Sequence, residues 1–443
     1  MLKRILILAG LVIVAVAAGL FFTVRNQRAR LDITAGQGAK PNLESVHTGF
    51  VPLVHVAKAV GWKAGEMPTP AADLKVQPFA TGLDHPRWLL ALPNGDVLVA
   101  ETNAPPKPED NKSLKAKVQG LVMSRAGAGT KSANRITLLR DKDGDGLAES
   151  RSTLISGLNS PFGMALVGNT LYIANADAIV SVPFTPGQTK IDAKPVKLID
   201  LPGGPINHHW TKNIVASPDG KLLYATVGSN SNVGERGMAV EKERAAILEI
   251  DLQTKEHRIF AYGLRNPNGM AWEPTRKVLY TVVNERDELG SDVVPDYLTE
   301  VQFGGFYGWP WYYWGGAPDS RPKDPDDQDL QQYVVRPDYA LGPHTASLGL
   351  TFSQGAKLGP KFAEGAFIGQ HGSWNRNPFS GYKVIFVRFQ KGRPVGLPID
   401  VLTGFLSADD QARGRPVGVV VDRAGGLLVA DDVGNAIWRV SAK

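Results

Sequence analysis

GLRNPNGMAWEPTRKVLYTVVNE, residues 263–285, decides how the chain is read. A turn rich in Gly, Pro and Asn (263–269) leads into a short apolar run. A polar turn follows, then the β-branched run 278–283, and the chain emerges onto a charged loop at 284–288. Short apolar runs bounded by turn formers are strands. The stretch is therefore a pair of strands that delivers a polar loop from a buried position. Its continuation GGFYGWP, residues 304–310, adds glycines and aromatic side chains.

The same pattern recurs upstream and downstream. It appears as GLDHPRWLLALPNGDVLVAET from Gly82, GLNSPFGMALVGNTLYIAN from Gly157 and HHWTKNIVASPDGKLLYATVGS from His208. It returns as TASLGLTFSQG from Thr345, resumed by GAFIGQHGSWN, and as RGRPVGVVVDRAGGLLVADDVGN from Arg413. Aligning Pro86, Pro161, Thr211, Pro267, Ser347 and Pro416 gives steps of 75, 50, 56, 80 and 69 residues. A four-stranded propeller blade takes roughly 40–50 residues, so each step holds one blade, with insertions in the first, fourth and fifth intervals. No long amphipathic helix occurs over residues 74–443, which excludes a βαβ fold. The expectation is an all-β, six-bladed β-propeller spanning 74–443 as one domain. In such a ring the first strand of each blade lines the central channel, and the loops leading into those strands surround one mouth. His209, Arg265 and Arg415 all fall in these loops.

Of the net charge of +6, five positive charges lie in residues 1–30, which carry no acid. The remainder is nearly neutral, which argues against nucleic acid as a partner. The chain of 443 residues has no cysteine, so disulfides and thiolate metal sites are excluded. Residues 5–24 are an uncharged apolar stretch of bilayer-spanning length. They predict a membrane anchor within 1–30, or a cleaved signal segment. The expected location is outside the cytoplasm, on the periplasmic side of the inner membrane. Residues 31–73 read as a linker with an apolar packing segment at 50–62 and an extended Pro/Ala-rich stretch at 63–73.

Several residues carry candidate chemistry. His209 suits a general base, because an imidazole accepts a proton near neutral pH; a loop histidine bonded to backbone is the alternative. Arg265, Arg413 and Arg415 offer guanidinium forks for carboxylates, or else surface salt bridges. Asn284, Glu285, Asp287 and Glu288 are hard oxygen donors suited to calcium, or else a solvated acidic turn. Asp141, Asp143 and Asp145 alternate in DKDGDG like the start of a calcium loop, although position twelve is Ser152 rather than glutamate. The aromatic run 304–314 suits stacking on a sugar or a planar ring, or wedging between blades.

With these motifs in this order, residues 74–443 resemble the pyrroloquinoline-quinone-dependent glucose/sorbosone dehydrogenases, and the L-sorbosone dehydrogenase branch most. The resemblance implies a quinone over the channel mouth, a calcium ion on its carbonyl, and oxidation of an aldose or sugar aldehyde at C1 by hydride transfer. It implies His209 as the base, Arg265 and Asn266 as quinone contacts, and Arg413 with Arg415 on the quinone carboxylates. Arg376, or Lys383, stands in for a family lysine. The Asn284-Glu285 pair replaces a Gly-Pro pair whose backbone carbonyls hold calcium in the family. Electrons then pass to an acceptor that the sequence does not name. Two other readings stay open: a calcium-dependent lactonase or phosphoesterase-type propeller hydrolase using Asn266 and Asn284, and a non-catalytic ligand-binding propeller.

Overall fold

The computed structural model describes residues 26–43, 46–49, 53–106, 124–127, 129–323 and 328–443. Each repeat folds into a four-stranded antiparallel sheet. Blade 1 comprises Pro86–Ala91, Val97–Glu101, Arg135–Arg140 and Ser150–Ser156. Blade 2 comprises Met164–Val167, Thr170–Ala174, Ala178–Pro183 and Val196–Asp200. Blade 3 comprises Ile214–Ala216, Leu222–Val227, Ala246–Asp251 and His257–Tyr262. Blade 4 comprises Asn266–Trp272, Leu279–Asn284, Pro295–Glu300 and Tyr339–Pro343. Blade 5, whose repeat is weakest in sequence, is complete: Ser347–Phe352, Gly365–Gln370, Lys383–Gln390 and Arg393–Thr403. Blade 6 takes three strands from the C-terminus, Pro416–Val421, Leu427–Asp431 and Ala436–Ala442. Its fourth strand, Leu74–Thr81, comes from the start of the domain and pairs from Ala436↔Thr81 to Ala442↔Leu74. This ladder closes the ring.

The inner strands contact one another in sequence around the channel, the last returning to the first. The repeat explains why they approach so closely. Two residues after each aligned position stands Gly163, Gly269, Gly349 or Gly418 in four of the six blades. A methyl group there would run into the backbone of Ile214, Leu348, Val417 and Arg87 respectively, each on the next blade. The glycine of the motif is thus a blade-to-blade contact. Among the described residues, a separate apolar cluster fills each of the six interfaces between neighbouring blades. The aromatic run serves one of them. Tyr307, Tyr313 and Trp314 are buried between blades 3 and 4, and the Tyr307 hydroxyl donates to the Glu300 carbonyl at 2.6 Å.

The segment before the ring is docked along much of its length. The Gln27 carbonyl accepts from the Ser291 hydroxyl at 2.6 Å, and Ala29 N donates to the Asn377 carbonyl at 2.8 Å. Gln37–Gly38 adds a fifth strand to blade 4 and Thr69–Pro70 a fifth to blade 5. His55 stacks on Phe379 at 3.9 Å, and the Trp62 indole donates to Asp431 at 2.7 Å. The linker expected over 31–73 is therefore strapped to blades 4, 5 and 6. Among the described residues no helix is long and apolar enough to cross a membrane; the span expected at 5–24 lies outside them.

Gly349→Ala places a methyl against the Val417 carbonyl. Overpacking of this kind costs about 1–3 kcal/mol. Urea unfolding should show that loss with an unchanged m-value.

Candidate functional site

Each blade is a meander, so the loop leading into its inner strand and the loop joining its second and third strands lie at the same end. Those loops from six blades surround one mouth of the channel. They carry almost every polar candidate.

Blade 3 contributes His209, which is partly exposed. Its Nδ1 lies 2.8 Å from the Ser229 carbonyl and 3.1 Å from the Ser229 hydroxyl. A carbonyl only accepts, so Nδ1 carries the hydrogen and Nε2 is the basic nitrogen. Gly228 lies between His209 and Asn266, where a methyl would strike both side chains. Asn266, at the start of the blade 4 inner strand, has a buried Oδ1 with no hydrogen-bond partner, while its Nδ2 lies 3.5 Å from Asn284 Oδ1.

Arg265 is buried, and all five of its N–H groups have protein acceptors. Nε donates to the Asn232 carbonyl at 3.2 Å, and Nη1 to the carbonyls of Glu285 and Asn284 at 2.7 and 3.5 Å. Nη2 donates to Asn232 Oδ1 and to Asp287 Oδ2, each at 2.9 Å. Burial opposes ionisation of Asp287, but Arg265, His344 and Asn375 together outweigh it and bring the carboxyl down to about 2. The two carbonyls that resemblance assigns to calcium thus face a guanidinium, and the Glu285 carboxylate turns to Arg286 at 2.9 Å. This donor set does not fit calcium at 284–285, since a fixed cation already occupies the carbonyl face.

A denser charge cluster lies across blades 6, 1 and 5. Asp432, which follows the second strand of blade 6, is 2% exposed. Its Oδ2 is 2.9 Å from His371 Nε2, 3.4 Å from His85 Nε2 and 3.3 Å from Arg87 Nη1. Burial pushes the Asp432 carboxyl upward, yet these neighbours hold it well below the usual carboxylate range. Arg415 joins the same field, as its charge is felt by His371 and His85. Its guanidinium donates to the Tyr382 hydroxyl at 3.0 Å and lies 4.9 Å from the centre of that ring. Nε of Arg87 and Nε of Arg415 are both buried without acceptors. Arg87 also lies 5.7 Å from the Trp210 ring, which places the cluster beside the loop carrying His209. With His85, His371 and Arg87 around Asp432 and Arg415 beside them, two buried guanidinium groups keep an Nε–H with no acceptor, which suits an anionic ligand.

Of the sequence candidates, His209, Asn266 and Arg415 reach the mouth with polar atoms suited to a ligand. Arg265 reaches it as a strut. Arg376 is buried and donates to the Ser291 and Pro378 carbonyls at 2.9 and 2.8 Å, and its own carbonyl is bonded by His55. The ion pair of Arg413 is with Glu66 on the N-terminal strap, at 3.8 Å. Lys383 pairs with Asp400 at 2.7 Å. Sequence reasoning missed His85, Arg87, His371 and Asp432. The one local signal was their place in the repeat, next to the aligned prolines or just after a second strand. On the opposite face, Asp141, Asp143 and Asp145 are joined by Glu149, with one carboxylate oxygen of each within 4.8 Å of the others.

Fold and mouth define a six-bladed propeller with a buried, base-rich mouth. A family model described as TrAA12-like matches residues 119–297 and 316–443, and the chain belongs to that family. An uncharacterized protein of Borreliella burgdorferi is 29% identical over 304 residues, 65% of this chain and 77% of that one. The pyrroloquinoline quinone-dependent pyranose dehydrogenase of Coprinopsis cinerea is 27% identical over 224 residues, 41% of this chain and 30% of that one. Among solved structures, a Trichoderma reesei carbohydrate-active enzyme of family AA12 matches with a TM-score of 0.69 at 19% identity, covering 89% of this chain and all of that one. The holo form of the quinone domain of the Coprinopsis pyranose dehydrogenase matches with a TM-score of 0.66 at 21% identity, covering 87% of this chain and all of that one.

Burial, against the pull of Asp432, brings the His371 imidazole down from 6.5 to about 4. The unfolded chain therefore binds the proton first. The stability this group contributes is present above pH 6.5 and lost as pH falls toward 4. About a fifth of the side chain stays exposed, which trims the effect. Denaturant unfolding of the wild type and of His371→Gln should show their difference changing by about 2 kcal/mol between pH 7 and 4.5.

Proposed function

We propose that the chain is a quinone-dependent sugar oxidoreductase. In this reading it takes pyrroloquinoline quinone at the channel mouth and oxidises an aldose, or the hydrate of a sugar aldehyde, at C1. One observation carries the reading. Arg87, His85 and His371 share the Asp432 carboxylate with Arg415 close by, two guanidinium Nε–H groups are buried without acceptors, and the cluster adjoins the loop of His209. A planar tricarboxylate fits this need for bidentate anionic partners. The quinone-dependent relative and the holo quinone domain of the same fold support it.

When bound, the quinone supplies the two-electron acceptor for the C1 hydride. Arg87 and Arg415 bind and orient its carboxylates. His209, with Nδ1–H committed to Ser229, presents Nε2 to take the proton of the C1 hydroxyl. Asn266 Oδ1 is placed to accept a hydrogen bond from the ligand. Arg265 has no donor to spare and holds the blade 3 and blade 4 loops together. No step uses calcium at 284–285. We place calcium instead in the carboxylate loop 141–149, away from the mouth, as a structural ion. The apolar stretch 5–24 supports an exported enzyme held at the membrane, with an electron acceptor on that side.

Quinone binding and reduction of an artificial acceptor across a panel of aldoses test the reading. His209→Ala should lower kcat by about 10²–10⁴-fold with quinone affinity intact. Arg415→Ala should weaken quinone binding by about 10–100-fold. A wild-type chain that neither binds the quinone nor turns over any aldose contradicts the reading.

Terbium luminescence should report a single lanthanide site that Asp143→Asn abolishes, and chelator should leave quinone binding unchanged. A second site that survives Asp143→Asn and tightens with quinone would place the metal at the mouth after all.

A further inference from the structure

Lys212 is fully buried, 0% exposed, and lies two residues before the inner strand of blade 3. Its Nζ donates to Asn207 Oδ1 at 3.1 Å, to the His209 carbonyl at 3.2 Å and to the Trp210 carbonyl at 3.2 Å. Burial drives the ammonium toward its neutral form. Three acceptors at hydrogen-bond distance nevertheless match the three N–H groups of the charged form, whereas a neutral amine has only two.

The fold does not require a lysine here. Lys212 follows the aligned Thr211, and the same position in the other five repeats holds Arg87, Phe162, Asn268, Leu348 and Val417. Four of the five are uncharged, and two are aliphatic. A buried cation is the costlier way to fill such a position. What distinguishes blade 3 is its loop, since it alone carries His209.

A second buried cation completes the arrangement. Arg244 donates through Nη1 to the Gly228 carbonyl at 3.1 Å, and through Nη2 to Asn207 Oδ1 at 3.2 Å and to the Pro202 carbonyl at 2.8 Å. Gly228 is the residue wedged between His209 and Asn266. The two cations thus meet at Asn207 Oδ1. One fixes the backbone of His209 itself, and the other fixes the residue against which its side chain rests. Ser229, next in the chain, then receives Nδ1.

We infer that Lys212 is the positioning residue of His209: it clamps the carbonyls of residues 209 and 210 so that the imidazole meets Ser229 on one side and the channel mouth on the other. The inference rests on the proposed role of His209 as the base. Lys212 touches neither ligand nor reacting atoms and acts through the loop.

The test uses Lys212→Met, which keeps the length of the side chain and removes its donors, with Lys221→Met, an exposed lysine of the same blade, as the control. Misplacing a catalytic group by about an ångström costs on the order of 10²-fold in rate. Lys212→Met should lower kcat by about 10–100-fold, with KM and quinone affinity within about twofold of wild type. Asn207→Gly should show a smaller loss, and the double variant should be no worse than Lys212→Met alone, because the two act as one unit. In protein without quinone, histidine-selective ¹⁵N spectra should show one Nδ1–H tautomer for His209 in the wild type and exchange between tautomers in Lys212→Met. Wild-type kcat in Lys212→Met, or a kcat loss matched by equal losses of quinone affinity and melting temperature, overturns the inference. If Lys212→Met does not fold, Asn207→Gly at wild-type kcat with an unaltered His209 spectrum overturns it. A wild-type chain without turnover would instead count against the functional reading, and the tautomer comparison would still decide the role of Lys212.

Discussion

The ladder between Leu74–Thr81 and Ala436–Ala442 is the contact on which everything else depends. It joins the first strand of the ring to the last, so that blades 6 and 1 are tied by a hydrogen-bonded ladder as well as by the apolar packing of their faces. It also closes the mouth. His85 and Arg87 come from blade 1, and Arg415 and Asp432 from blade 6, over 300 residues later. Only closure brings His85 and Arg87 onto the Asp432 carboxylate and sets Arg415 beside them.

The close approach of inner strands then sets how much room the mouth has. Glycines at 163, 269, 349 and 418 let neighbouring backbones nearly touch, and the gaps between blades are filled by apolar clusters. Buried polar groups at the mouth therefore depend on partners from neighbouring loops. Arg265 is satisfied, by five acceptors on two loops. Arg87 and Arg415 are not, for each keeps a buried Nε–H without an acceptor. That contrast separates a structural arginine from one available to a ligand, although both kinds sit in equivalent loops.

The fold was legible because its signal is local and repeated. The turn, the short apolar strand, the polar turn and the second apolar strand recur in order, down to the weak repeat at 345. The mouth as a place was legible from the same register, and with it His209, Asn266 and Arg415. The partners that decide what each residue does were not. Nothing near Arg265 in sequence announces Asn232, nothing near Arg413 announces Glu66, and His371 meets Asp432 across 61 residues. Asn232, His371 and Asp432 sit in loops that join second and third strands, whose lengths vary from blade to blade and carry no period, and Glu66 lies on the segment before the ring. In the described part of residues 26–73 the packing of the segment was expected but its short strands were not: they are two residues long, two of them complete blade edges and one pairs with Gln411–Ala412.

Shape, charge and the place of His209 converge on one claim, that the mouth holds a quinone poised to take two electrons from a sugar. Anaerobic absorption spectroscopy of the purified chain with one equivalent of pyrroloquinoline quinone tests it most directly. The account predicts that the quinone stays with the protein through gel filtration, and that its oxidised band bleaches to the reduced spectrum on adding an aldose, in a single turnover without any acceptor. Quinone that elutes free, or bound quinone that no aldose bleaches, would contradict it.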